Sequence, residues 1–401
     1  MIRRLARTGA PLLAASLLLT ACSTDEDSPA PKAAPAQHPV FDQKLDRQLL
    51  LAVRQTRKAG SAGFVQKLTF TSGRGDAVQT MRGRMDFAGS RGQADVAWTM
   101  PKGLPHSTRV ALVGDTPGSR TGAASGTYLI DGQGIHYRAA SSAYWIRYTA
   151  ADTSAHEGSD RLEHLRGTEA PVGGTLLEGI SGAEASSRND DATGRTYRAG
   201  MPFGVLGAMF PEDLRKHLDV VNGGTSASQK AVPLTVGVDR QGRITRARAD
   251  LTRLLRKDGA LSGFTGLTMD LTLTGLGATP PVASPTGTVR TAARDVLPLR
   301  DVKDGGCVDF DTGQRLAQIV VGVPCSGPYD ARVFTQVPLR AGTSAEDTQE
   351  RSDIACAYAH DVARPAWLPR VAQIWGWWTP DPKGGAKGRV TCYVTSPRGG
   401  A

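Results

Sequence analysis

Cysteine is the residue type with the clearest chemistry in this 401-residue sequence, and four of its five cysteines lie close to the C-terminus. An even number of cysteines in an exported chain is typical of a disulfide framework. Zinc is disfavoured because there is no Cys-x-x-Cys pair and the gaps between the cysteines are long. Four cysteines allow three pairings, and their spacing leaves all three open. The four are Cys307, Cys325, Cys356 and Cys392.

Hydrolytic chemistry has no local motif in this chain. The sequence contains no Gly-x-Ser-x-Gly elbow, no His-Glu-x-x-His helix and no Walker loop. His156 and His164 flank a helical start in a charged segment, which favours solvated side chains. Asp190 and Asp191 lie in a polar segment, 187–194, that we interpret as a loop. We therefore predict no enzymatic activity, no cofactor and no metal. The alternative is a hydrolase whose catalytic group is assembled from distant residues, which no motif would show.

The fifth cysteine, Cys22, follows a segment that has the parts of a secretory signal. Arg3, Arg4 and Arg7 precede an apolar run at 11–19, which is about half the ~20 residues of a membrane-spanning helix. The sequence LTAC at 19–22 resembles the lipobox of bacterial lipoproteins. That resemblance implies cleavage before Cys22 and acylation of its thiol, which would anchor the protein at the outer face of the cytoplasmic membrane. An ordinary signal peptide with a chance cysteine is the alternative.

The part that follows Cys22 is predicted to be a flexible tether and then two domains. Residues 23–40 are polar and rich in proline and alanine, with little apolar material to bury. A chain of this length is too long for a single core. The formal charge is +10, and loss of the three signal arginines leaves +7. A positive charge favours an anionic membrane surface. Because the basic residues are scattered, nucleic acid is not a predicted partner.

The elements that would position these groups begin with a helix at 41–60. There, Leu45, Leu49, Leu50 and Val53 recur at three- and four-residue spacing. The period then changes to two, and short Gly-rich turns follow, which is typical of an antiparallel meander. Further helices are predicted at 160–166, 175–180 and 212–218. Further strands are predicted at 107–113, 127–130, 135–138, 144–148, 193–198, 233–238, 243–251 and 267–273.

One face of the first three predicted strands is apolar and contains three methionines, whose flexible side chains adapt to varied apolar ligands. Such a face lines either a ligand cavity or an ordinary filled core. The residues on this face are Phe64, Leu68, Phe70, Met81, Met85, Phe87, Val96, Trp98 and Met100.

An ordered set of short patterns across 41–277 resembles the LolA-like superfamily, specifically the LppX/LprG-type lipoproteins of actinobacteria. The patterns are AGS at 59–61, MDF at 85–87, GTYLI at 126–130, WIR at 145–147, GRTY at 194–197 and VGVDRQGRI at 236–244. The resemblance implies an α+β fold, a curved antiparallel half-barrel with helices on its concave face. It also implies that acyl chains are held between them, lined by the nine apolar residues, and that there are no catalytic residues. The loop at 116–125 is small and polar, which offers little material for a lid.

The C-terminal hundred residues carry a second resemblance, to the septum formation domain of actinobacterial membrane proteins. It rests on GCVDF at 306–310, VPCSGPYDARVF at 323–334, ACA at 355–357 and VTCY at 390–393. This resemblance implies a small disulfide-stapled α+β domain in which Cys307 pairs with Cys325 and Cys356 with Cys392. Tyr329 and Arg332 stand where the family usually has His and Glu, so any role of that pair is not carried over.

The resulting plan has a signal at 1–21, a tether at 22–40, a lipid-binding domain at 41–277, a Pro- and Gly-rich linker at 278–300 and the disulfide domain at 301–401. The predicted function is a membrane-anchored lipoprotein that binds and carries or senses a lipid or acylated glycolipid. The alternative is an envelope scaffold that contacts a protein partner through its C-terminal domain. Four tryptophans of that domain, Trp367, Trp375, Trp377 and Trp378, are predicted to pack in its core, with an exposed aromatic face as the alternative.

Overall fold

A computed structural model describes most of the chain after the N-terminal segment. Cys22, the predicted signal and nearly all of the predicted tether lie outside the described residues, as do 116–124 of the predicted polar loop. Within the described part, no helix is both long and apolar enough to cross a membrane. The described residues are 38–114, 125–149, 162, 164–219, 231–314, 318–370, 372–381 and 386–395.

A curved, open sheet of twelve strands dominates the described part of the chain. Its strand order is β12-β6-β5-β4-β3-β2-β1-β11-β10-β9-β8-β7, and every neighbouring pair is antiparallel except β12 and β6. The predicted fold class, a curved antiparallel sheet followed by a small disulfide-linked domain, is confirmed. The strands are β1 (Ser61–Thr71), β2 (Ala77–Asp86), β3 (Arg91–Thr99), β4 (Ser125–Asp131), β5 (Gly134–Ala139), β6 (Tyr144–Tyr148), β7 (Glu184–Asp191), β8 (Gly194–Met201), β9 (Val232–Asp239), β10 (Ile244–Asp250), β11 (Gly266–Thr274) and β12 (Thr288–Thr291).

Alternation along the strands separates a buried face from a face exposed to water. In β1, every second residue from Ala62 to Phe70 is buried, and the residues between them are more exposed. We call the buried side of the sheet the inner face. Strand β1 lies at the centre, where it pairs with β2 on one side and with β11 on the other, so that Phe64 stands opposite Leu273.

Seven short or medium helices accompany the two sheets in the described residues. Helix α1 packs its buried Leu49, Ala52 and Val53 against the sheet, as its three- and four-residue spacing predicts. The hydroxyl of Thr56 on α1 also accepts a hydrogen bond from the Ile244 amide at 2.8 Å, which fixes the helix to β10. The helices are α1 (Leu45–Lys58), α2 (His106–Val113), α3 (Leu176–Ile180), α4 (Phe203–Met209), α5 (Glu212–Arg215), α6 (Ala292–Asp295) and α7 (Ala345–Ala363).

Two local predictions were wrong. The strand predicted at 107–113 is helix α2, in which Thr108, Ala111 and Leu112 are buried on one side. A short apolar run is compatible with either a strand or a helix, and here the helix is the element that buries these side chains. The loop predicted at 187–194 is largely strand β7, an exposed edge strand whose polar residues show no alternation.

The second sheet has six strands and belongs to the C-terminal part of the chain. Its order is β13-β15-β14-β16-β18-β17, with helix α7 packed against β16, β17 and β18. The segment at 278–300, predicted as a linker, supplies edge strand β12 to the first sheet and β13 to the second. The strands are β13 (Val296–Pro298), β14 (Cys307–Asp309), β15 (Ile319–Val323), β16 (Ala331–Arg340), β17 (Ile374–Pro380) and β18 (Lys387–Thr395).

Four tryptophans pack around the small C-terminal core. Trp375 and Trp377 are half-buried and pack against one cluster of buried residues, and Trp367 and Trp378 pack against another. The guanidinium of Arg332 lies over the Trp367 ring at 3.7 Å, and its Nε donates to the Gly305 carbonyl at 3.0 Å. The tryptophans thus contribute to packing rather than forming one exposed patch.

Candidate functional site

The nine residues of the predicted apolar face belong to the core of the large sheet. Phe64, Leu68, Phe70, Met81, Met85 and Trp98 are buried in one hydrophobic cluster, and Phe87, Val96 and Met100 are half-buried against it. Packing of this kind is what a filled core requires. Most of the face is therefore occupied by the protein's own side chains.

A polar residue fastens the covering segments to this face. Gln66 on β1 is buried; its side-chain amide donates to the Gly174 carbonyl at 2.8 Å, and its side-chain oxygen accepts from the Leu176 amide at 2.9 Å. Both ends of the amide are thereby satisfied, which offsets the cost of burying it. Helix α3, which begins at Leu176, is held by these bonds against the inner face.

A small cavity remains between the inner face and its cover. Its volume is about 80 Å³, smaller than the roughly 150 Å³ of an engineered cavity that admits benzene. Three of the nine predicted lining residues, Met81, Val96 and Trp98, border it on the sheet side. The far wall includes Phe310 and residues 311–313, which belong to the C-terminal part of the chain. A cavity of this volume holds no more than a few methyl-sized groups.

Residues 309–314 form a cap segment that docks on the large sheet through three tyrosines. The Tyr144 hydroxyl donates to Asp309 Oδ2 at 2.6 Å, and the Tyr148 hydroxyl donates to the Thr312 carbonyl at 2.5 Å. A third tyrosine of strands β5 and β6 donates in the same way to a carboxylate oxygen of Asp311. We call these donors the tyrosine row, which comprises Tyr137, Tyr144 and Tyr148. Two of the three bonds end on a carboxylate, the stronger class of hydrogen bond.

Burial of the tyrosine row changes its acid–base behaviour. Burial, together with the neighbouring carboxylates Asp311 and Asp309, raises the pKa of Tyr137 and of Tyr144 above the ordinary range. Burial likewise raises the pKa of Tyr148. All three hydroxyls therefore keep their protons at neutral pH and act as donors to the cap segment.

Close packing supplements these bonds. Gly313 has a φ of +76°, and a Cβ at this position would lie 2.8 Å from two ring carbons of Tyr137. Glycine thus permits both the backbone conformation and the close approach to the ring. The aromatic ring of Phe310 packs on Tyr393 of the C-terminal core, so the cap segment is attached on both sides.

Two disulfides hold the C-terminal domain, Cys307–Cys325 and Cys356–Cys392. These are the same pairs that the septum formation resemblance implies. Cys307 begins β14, the strand that leads directly into the cap segment. The first disulfide therefore fixes the base of the cap, and the second ties α7 to β18.

The tyrosine row and the cap segment were not among the predicted site residues. Their signal in the sequence is weak: Tyr144 and Tyr148 lie four apart on one face of a strand, and Asp309 and Asp311 alternate. Nothing in the sequence connects two groups that are more than 160 residues apart. In the described part of the chain, no three His, Cys, Asp or Glu residues are grouped as metal ligands.

Comparison with known proteins gives only distant structural likenesses. The chain is similar to lipoprotein LppX of Mycobacterium tuberculosis, with 16% identity, a TM-score of 0.28, and coverage of 59% of this chain and 100% of that one. It is similar to a DUF1329 family protein from Desulfovibrio piger, with 8% identity, a TM-score of 0.24, and coverage of 61% and 95%. A proposed outer membrane lipoprotein-sorting domain from Vibrio parahaemolyticus gives 10% identity, a TM-score of 0.21, and coverage of 56% and 89%.

No protein-family model matches the chain, and no curated protein matches it. Likenesses at these TM-scores assign neither a family nor a function.

Proposed function

We propose that this protein is a non-enzymatic lipoprotein that binds the acyl part of a lipid or glycolipid between the inner face and its cover. The observation that carries the proposal is the cavity at that boundary, bordered on the sheet side by Met81, Val96 and Trp98. A methionine at such a boundary adapts its shape to different apolar ligands. The LolA-like assignment of 41–277 and the septum formation-like assignment of 301–401 are part of this proposal and rest on the sequence patterns.

Entry of an acyl chain requires the cover to move, because about 80 Å³ does not accommodate one. The sheet side consists of long paired strands, whereas the opposite wall contains residues 310–313, a segment without strand pairing. The cap segment is bound to the sheet by three hydroxyl bonds and by the packing of Gly313 on Tyr137. The wall with fewer connections is the one expected to yield. The ligand would thus enlarge the cavity by displacing the cap segment, and carriage or sensing would be linked to the position of the C-terminal domain.

Quenching of Trp98 tests this function directly. Vesicles containing phospholipid with brominated acyl chains should quench part of the tryptophan fluorescence of the full-length protein, since bromine quenches only at close range. The matched control is Trp98→Phe, which keeps an aromatic side chain and the five other tryptophans of the chain. Quenching that is lost in the control supports acyl binding at this cavity. No quenching, or equal quenching in both proteins, counts against it.

The membrane anchor is a separate part of the proposal. Arg3, Arg4 and Arg7, the apolar run at 11–19 and Cys22 support it. Two or more acyl chains give stable attachment, at ~0.8 kcal/mol for each buried methylene. The mass of the N-terminal peptide from membrane-extracted protein should show a diacylated Cys22, and Cys22→Ala should release the protein from membranes. An unmodified N-terminal peptide would exclude this anchor.

An envelope scaffold that acts through the C-terminal domain is the second candidate. The filled state of most of the inner face favours it, since Phe64, Phe70 and Met85 are almost fully buried among the protein's own side chains. Crosslinking in cells with and without residues 301–401 separates the two candidates. Protein partners that persist after this deletion would count against the scaffold.

A further inference from the structure

Helix α7 carries an apolar stripe that faces water. Ile354, Tyr358 and Val362 are 63%, 70% and 65% exposed. Because they are four residues apart, they lie in one row along the helix. Among the described residues, the one other exposed large apolar side chain is Val289, at 40%. We call the three residues the α7 stripe.

The opposite side of α7 is fixed to the domain, so the orientation of the stripe is fixed too. Cys356 is fully buried and forms a disulfide with Cys392 on β18. Ser352 is also fully buried, and the His360 ring packs edge-on against Phe334 with the centroids 6.3 Å apart. The helix cannot turn the stripe inward without breaking these contacts.

Acidic residues border the stripe on one side. At 100° per residue, Glu350 and Asp361 lie next to the stripe, and Asp353 lies on the same side farther out. All three are exposed. The single arginine of the helix, Arg351, is paired with Asp347 at 2.8 Å. Helix α7 has five acidic residues and one arginine, a formal charge of −4 with histidine neutral, in a chain whose charge is +10.

The apolar stripe and its acidic border together determine which kind of partner can bind this surface. An anionic bilayer surface would be repelled by the acidic border. A second copy docked by the same surface would bring two acidic borders together. A protein segment with apolar side chains flanked by lysine or arginine satisfies both features, because its apolar residues cover the stripe and its cations meet the carboxylates.

We propose that the α7 stripe is a docking surface for a basic, amphipathic segment of another envelope protein. The docking surface is inferred from α7 and not from the lipid cavity, so it stands whether or not the cavity takes a ligand. The envelope location of the partner rests on the proposed membrane anchor. Exposed apolar rows with a border of one charge are typical of protein interaction sites.

Photo-crosslinking from the stripe tests the proposal. The full-length protein is made in its own cells with benzoylphenylalanine in place of Tyr358, an exposed position where the larger ring displaces nothing. The crosslinked peptide is then identified by mass spectrometry. We expect a segment of a different protein with apolar residues and a net positive charge. The control carries the same photo-residue at exposed Lys303 of the same domain and should not yield that peptide.

Two further variants probe the two features separately, with the photo-residue kept at 358. Asp353→Lys combined with Asp361→Lys should lower the crosslink yield by about fivefold or more, since exposed pairs each contribute up to about that factor. Ile354→Ser should also lower the yield, and an unchanged melting temperature would show that the fold is intact. Crosslinks to lipid, to a second copy or to an acidic segment would overturn the proposal. The absence of any crosslink, or a crosslink yield that is unchanged by the charge reversal, would also overturn it.

Discussion

Loss of one hydroxyl from the tyrosine row should loosen the cap segment measurably. Tyr144→Phe removes the 2.6 Å bond to Asp309, a residue that is only 6% exposed. A hydrogen bond to a charged group contributes about 1.5–3 kcal/mol. If that free energy is lost only from the docked state, the ratio of undocked to docked cap rises by about 10- to 140-fold.

Nitration of buried Tyr148 reports on this equilibrium. Tetranitromethane modifies exposed phenol rings, and Tyr148 is fully buried with its hydroxyl bonded to the cap. The rate at which Tyr148 is nitrated at fixed pH, followed by peptide mass spectrometry, should rise by about 10- to 140-fold in Tyr144→Phe. Amide exchange in β1 should stay unchanged, because the central pairing of the sheet does not involve the cap.

Tyr197→Phe is the matched control for this experiment. The Tyr197 hydroxyl is also buried and donates to Gln48 at 2.7 Å, but it lies on β8, far along the sheet from β5 and β6. This variant should lose about 0.5–1.5 kcal/mol of stability, because its acceptor is a neutral amide, without faster nitration of Tyr148. An unchanged nitration rate in Tyr144→Phe, or equal acceleration in both variants, would show that the Tyr144 hydroxyl does not hold the cap segment in place.

Four other predictions follow from the geometry. Because burial raises the pKa of the tyrosine row, the contribution of each of these tyrosines to the free energy of unfolding should be constant up to about pH 10 and then fall by about 1.4 kcal/mol per pH unit. Urea titrations should therefore show a slope against pH that is smaller by that amount in Tyr148→Phe. Gly313→Ala should cost about 1–2 kcal/mol for backbone strain plus displacement of the facing ring, and an unchanged denaturation midpoint would contradict this packing. Replacing Cys356 and Cys392 by alanine opens a 36-residue loop and should lower the free energy of unfolding by about 4 kcal/mol, measured by denaturation without a reducing agent. An unchanged free energy would mean that the disulfide does not form. The hydrogen bond from Arg195 lowers the pKa of Asp190, so the ionised carboxylate stabilises the fold above about pH 4, and this stabilisation is lost as the pH falls. In urea titrations at acid pH, Asp190→Asn should reduce the decrease in unfolding free energy by less than about 1 kcal/mol, because the carboxylate is largely exposed.

Periodic apolar residues and glycine turns were sufficient to predict the central strands of the large sheet. The alternation of Phe64, Leu68 and Phe70 in β1 was clear because one face is buried and the other faces water. Strand β7 was not predicted, because an edge strand that is exposed on both faces, such as residues 187–191, has no alternation to detect. Helix α2 was taken for a strand, since eight residues with several apolar positions fit both periods.

The candidate site was only partly predictable for a different reason. The sheet side of the cavity follows from local alternation, and Met81, Val96 and Trp98 were found in this way. The other side is formed by a segment that lies some 200 residues later in the chain, and the polar bonds that dock it on Tyr137 and its neighbours have no local pattern. Docking between distant segments depends on tertiary geometry that single-sequence periodicity does not contain.

The position of β1 also has a consequence for how the chain folds. Its two neighbours are β2, reached by a tight turn, and β11, reached only after almost 200 further residues have been made. Until Gly266–Thr274 arrives, the hairpins that contain β1 present an unpaired apolar edge, the kind of edge that invites wrong pairing. Closure of the sheet is therefore a late, non-local step, and folding should be slow compared with synthesis of the N-terminal hairpins. A chain truncated before β11 is expected to aggregate rather than to form a smaller version of the sheet.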